Sequence, residues 1–112
     1  MNVPTMMTES EFHYRVDAVL GELEEAIDQV DADIDSEQTA GILTLTFANN
    51  SRVIVNRQTP NREIWVAAKS GGFHFRFDGA AWRDTRGGEQ LDALLSRVLS
   101  MQSETAIAIS LA

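Results

Sequence analysis

Eight carboxylates stand in the sixteen residues ELEEAIDQVDADIDSE, positions 22 to 37, with no Lys or Arg among them. Like charges at helical spacing repel by roughly a few tenths of a kcal/mol per pair, so the run opposes stability. Two chemistries answer such a concentration. Carboxylate oxygens suit hard cations such as iron, manganese, magnesium and calcium. A negative strip also attracts a basic protein surface. On charge alone a third reading, a solvated face that only aids solubility, stays equally open.

An open strip offers few ligands in fixed geometry, so a metal held there is expected to bind weakly, at the surface and in a salt-sensitive way. Asp31, Asp33 and Asp35 match the first three ligand positions of a calcium-binding EF-hand loop. That loop needs Gly at its sixth position and a bidentate Glu at its twelfth. Ser36 and Ile42 stand there instead, so the match fails.

Other chemistries find little support. The chain has no cysteine, which removes disulfides, thiolate metal sites and Cys nucleophiles together. Neither His13 nor His74 stands in a metal-binding or nucleophile motif such as HExxH or GxSxG. His74, between two Phe, reads as the solvent-facing half of a strand alternation. His13 lies at helical spacing from Glu9 and Asp17, as a metal ligand or as a plain surface residue. The Gly pairs in SGG and RGG are turn and helix-start signals rather than a phosphate cradle. No catalytic residue is expected, and the protein is not expected to be an enzyme.

The net charge of −8 is unevenly spread: residues 1–37 carry eleven acids and one Arg, whereas residues 38–112 carry six acids and eight bases. The asymmetry argues against nucleic acid as a partner, because its phosphates would meet an acidic half and no basic stripe. No apolar run is long enough to span a bilayer. The opening MNVPTMMTESEF lacks the basic and apolar regions of a secretory signal and is acidic, unlike a transit peptide. A cytoplasmic location is the expectation.

The elements that must carry these residues follow from periodicity. Thr8 and Glu11 have the spacing of a capping box. Phe12, Val16, Val19, Leu20, Leu23, Ile27 and Val30 then recur as one face of an amphipathic helix over about residues 9–30. Its solvated flank holds Asp17, Glu22, Glu24, Glu25 and Asp28, and the acids continue through Asp31, Asp33, Asp35 and Glu37 into a loop. Strands follow at 42–47, 52–57, 63–68 and 73–77, with a fifth around Trp82. Asn49 and Asn50 make a tight turn, and Pro60 breaks the ladder before the third strand. Residues 89–102 repeat Leu91, Leu94, Leu95, Val98 and Leu99 with helical period, and the tail AIAISLA extends along the edge of the core. The order implies one α+β domain over residues 1–112, with residues 1–8 flexible. It is a two-layer sandwich with both helices on one face of an antiparallel sheet of five to six strands. Ile64 and Trp65 must then face opposite sides. If Ile64 faces the helices, Trp65 stands on the open face, where these residues alone make it only a cover for the sheet. Trp82 reads as a core or edge aromatic.

VNRQTPNREIWVAA, residues 55–68, resembles the most characteristic segment of the frataxin family in its bacterial form. SEFH, LEEAID, GILTLTF, GGFHFRF and WRDTRGGEQLDALL agree with the family in order and spacing, so the resemblance runs from about Glu9 to the tail. It implies the same αβββββα fold, and an iron-binding protein of iron–sulfur cluster assembly that regulates a cysteine desulfurase and its scaffold protein or donates iron to them. Carried over by position, the family's metal sites fall on Glu24, Glu25, Asp28, Asp31, Asp33 and Asp35, for Fe²⁺ or Fe³⁺. Its partner surface on the sheet falls on Asn56, Gln58, Asn61 and Trp65, and Asp17 and Glu22 extend the ridge that steers the protein to a basic patch. Gln29 replaces a further acid of some members, and residues 31–41 make a slightly shorter loop than in some, which thins the ridge. A monomer is expected. The alternatives are an iron-independent interaction module, or iron storage and detoxification through oligomers.

Overall fold

A computed structural model describes residues 7–111 of the chain. Helix α1 (Glu9–Asp28) starts where the capping signal places it, since the Thr8 Oγ1 accepts from the Glu11 backbone N–H at 3.1 Å. It buries Phe12, Val16, Val19, Leu20, Leu23 and Ile27, the stripe expected from the spacing. Its last turn carries no base, so Glu25 and Asp28 sit at the negative end of the helix dipole. Each acid so placed costs roughly 0.3–1 kcal/mol at an exposed site. The expected flexible segment over residues 1–8 lies, for its first six residues, outside the described part. Met7 packs on the core and Thr8 caps the helix.

Six strands follow: β1 (Ile34–Thr39), β2 (Ile42–Phe47), β3 (Arg52–Gln58), β4 (Glu63–Ala68), β5 (Gly71–Phe77) and β6 (Trp82–Asp84). They form one antiparallel sheet in chain order, and helix α2 (Leu91–Ser103) closes the domain. Residues 34–39, read from sequence as loop, are thus an edge strand. Only Ile34 among them is a large apolar residue, and acids replace the usual alternation, so the periodic signal is missing. Charged edge strands of this kind resist pairing with other chains. Ala40 and Gly41 join β1 to β2 with φ of 53° and 79°, a two-residue turn whose hand suits the sheet twist. Gly71 and Gly72, read as turn, belong to β5, and Lys69 and Ser70 make the turn instead.

Alternation sorts the sheet into two faces. Leu43, Leu45, Phe47, Val53, Val55, Ile64, Val66 and Phe75 are buried against the helices with Leu91, Leu94, Leu95, Val98 and Leu99. Each such side chain contributes about 1.5–3 kcal/mol on burial. Trp82 is a core residue, edge-on to Phe12 at 6.2 Å between ring centroids. Ile107 and Ile109 of the tail also reach the core, and the tail is tied to α2 by serine hydroxyls. Ser100 Oγ donates to the Ile107 carbonyl and accepts its N–H, and Ser96 does the same for Ile109. A second tie is Gln102, whose amide accepts from the Lys69 N–H and donates to Ser51 and to the Arg52 carbonyl.

Candidate functional site

Glu24, Glu25 and Asp28 project from the outer flank of α1, and Asp31 and Asp33 lie on the path into β1, which carries Asp35. All but the half-buried Glu24 are exposed. Among the described residues none of these six carboxylates has an ion pair or a side-chain hydrogen bond. Nor do any three His, Asp or Glu side chains among the described residues gather closely enough to hold one metal ion. The ridge is therefore a field of negative charge rather than a coordination cage.

Asp17 and Glu22 differ from their neighbours. Asp17 pairs with Arg57 of β3, whose side chain is only 15% exposed where it points from the sheet towards α1. The same guanidinium lies 2.7 Å from His13 Nδ1. Because a guanidinium has no acceptor, Nδ1 must accept, which leaves the imidazole proton on Nε2 facing Glu9 at 4.0 Å. Asp17 and His13 thus fasten α1 to β3, and His13 is engaged rather than free to ligate. Glu22 is half-buried and already interacts within the fold. The sequence signal for the Arg57 tie was its inward parity with Val53 and Val55.

The open face of the sheet holds the second group. Register pairs Asn56 with Trp65 and Trp65 with His74, while Gln58 stands opposite Glu63 and Glu63 opposite Arg76. Ile64 is buried, so Trp65 does stand on the open face, half-buried. Its indole lies flat on the His74 imidazole, with centroids 4.2 Å apart and planes 8° from parallel. Its Nε1–H donates to Glu63 Oε1 at 2.8 Å, and Arg76 donates to the other oxygen of the same carboxylate. Asn61 is exposed on the turn between β3 and β4, and Asn56 and Gln58 flank the indole on the neighbouring strand. Asn56, Gln58 and Trp65 therefore share the open face, and Asn61 lies on the turn that joins their strands. Glu63, His74 and Arg76 were missed as members. The parity of Glu63 with Trp65, two residues apart on one strand, was the signal that could have found the first.

Beside this face, the turn between β5 and β6 is fixed by Asp78. The backbone N–H groups of Ala81 and Ala80, and then Arg83, donate to its carboxylate and hold it at about 2, below its ordinary 3.8. Arg97 on α2 is raised in turn by its hydrogen bond to Glu89.

Two helices on one face of a six-stranded antiparallel sheet, an acidic helix edge and an open polar face with a fixed indole together define a small α+β sandwich domain. The model of the frataxin-like domain matches residues 5–105, and the chain belongs to that family. Among curated relatives, the iron-sulfur cluster assembly protein CyaY of Paraburkholderia phymatum is 46% identical over 93% of this chain and 99% of its own. The protein of the same name from Paraburkholderia xenovorans is 50% identical over 87% of this chain and 92% of its own. A solved frataxin of the CyaY family from Psychromonas ingrahamii superposes with a TM-score of 0.87 at 33% identity, covering 93% of this chain and 99% of that one.

Proposed function

We propose that the protein acts in iron–sulfur cluster assembly, holding iron weakly along the ridge and meeting a cysteine desulfurase and its scaffold protein through the ridge and the open sheet face. Its role there is regulatory, with iron donation as a further part, and it needs no catalytic residue of its own. The names of the curated relatives supply the process. The observation that carries the reading is the unpaired state of Glu24, Glu25, Asp28, Asp31, Asp33 and Asp35. Among the described residues these six acids pair with no base, and three of them, on the C-terminal half of a helix, would be neutralised from outside.

Monodentate and bridging carboxylates would hold Fe²⁺ or Fe³⁺ there, and the same charge would draw in a basic patch of the desulfurase. The reading places the protein in the cytoplasm as a monomer. The test replaces Glu24→Gln, Glu25→Gln and Asp28→Asn together. Iron binding by titration calorimetry and desulfurase binding should both fall while the folded spectrum persists. Unchanged desulfurase affinity in the folded triple variant overturns the steering claim.

A second reading has one observation in its favour. Because no three ligating side chains among the described residues converge, iron could be incidental to a pure protein-interaction module. Metal-free protein would then modulate cluster assembly identically at every iron level.

A further inference from the structure

Glu63 is 5% exposed, yet it lies on the sheet face that neither helix covers. A desolvated carboxylate is unfavourable unless it is hydrogen-bonded and paired. Here both conditions are met by its neighbours on the same face. One oxygen accepts from Trp65 Nε1–H at 2.8 Å and the other from Arg76, and His74 Nδ1 lies 4.0 Å from the first. The side chains that bond this carboxylate are members of the docking face itself.

We propose that Glu63 is the positioning residue of the docking face: it holds the Trp65 indole flat against His74 so that a partner meets a preformed surface. The inference rests on the reading of that face as a partner surface. A free Trp on an open strand can rotate about two side-chain bonds, and docking must then halt that rotation. With the Nε1–H fixed by Glu63 and one ring face stacked on His74, little freedom remains to be lost. The ion pair with Arg76 holds the carboxylate in place, and so serves the indole indirectly.

The test compares Glu63→Ala and Glu63→Gln with the unaltered protein, using the indole N–H signal of Trp65 in a ¹⁵N spectrum and the affinity for the desulfurase–scaffold complex. In Glu63→Ala the Trp65 signal should move while that of the buried Trp82 stays, and affinity should fall by about tenfold. Glu63→Gln keeps one acceptor for two donors. It should release either Trp65 or Arg76, seen in their side-chain N–H signals, and weaken binding by about twofold to threefold. An indole signal unmoved in Glu63→Ala overturns the inference, and so does a moved signal with unaltered affinity. If Glu63→Ala does not fold, Glu63→Gln decides: both side-chain signals and the affinity at their original values overturn it. Failure of the unaltered protein to bind the complex at all would instead refute the reading of the face, while the indole measurement would still judge Glu63.

Discussion

The acidic ridge and the open-face platform are built on opposite terms. The six ridge carboxylates are unpaired among the described residues, so position hardly matters to them and sign is what they present. Around Trp65 every polar side-chain contact is specified: a stacked ring, one carboxylate and two donors to it. The first acts at a distance and fades with salt, since the screening length is about 10 Å at 0.1 M. The second acts only at contact. Glu24, Glu25 and Asp28 lie on α1, across the sheet from the open face, and β1 with Asp35 is three strand spacings from β4, roughly 14 Å at about 4.8 Å per step. That exceeds the screening length, so the two regions should contribute almost independently. On the proposed reading, long-range capture and short-range fit would be divided between a helix edge and a sheet face.

The sharpest way to separate them is Trp65→Ala. Removing a central aromatic should weaken binding to the desulfurase–scaffold complex by about thirtyfold, or about 2 kcal/mol. The loss should be the same at low and high ionic strength in a calorimetric titration. The triple ridge variant should lose about tenfold at low salt, and that difference should vanish as ionic strength approaches about 0.5 M. Its melting temperature should hold or rise, because like-charge repulsion along α1 is relieved. Combining both changes should give losses that add to within about 0.5 kcal/mol. A strongly non-additive result would mean that ridge and platform contact one shared element of the partner.

The smallest expected effect lies outside both regions. Asp78 titrates at about 2 in the folded chain against an ordinary 3.8. A depressed carboxyl stabilises the fold above the unfolded value and loses that contribution as pH falls towards the folded one. Asp78→Asn should therefore flatten the acid sensitivity of the melting temperature between about pH 4 and pH 2, with binding at neutral pH unchanged.

Much of this arrangement was legible in the residues. The apolar stripe of α1, the inward parity of Leu43, Leu45 and Phe47, and the Asn50 turn with its φ of 69° follow from periodicity and backbone chemistry alone. So does the side of the sheet on which Trp65 stands, once Ile64 is buried. β1 was hidden because its inward positions are Ile34, Ser36 and Gln38, too polar to produce a period-two hydrophobic signal. The pairing of Asp17 with Arg57 was hidden for another reason. It joins residues forty positions apart, and only the packing of α1 against β3 brings them together. Glu63 combined both difficulties, an acid whose burial depends on its neighbours' side chains rather than on its own type.

One consequence of the β1 edge concerns crowding rather than docking. Asp35 and Glu37 are exposed on the outermost strand, and their mutual repulsion across two molecules opposes edge-to-edge zipping. Whatever cancels those charges, a multivalent cation included, removes the barrier along with them. The chain's resistance to clumping would then be set by the ions around it.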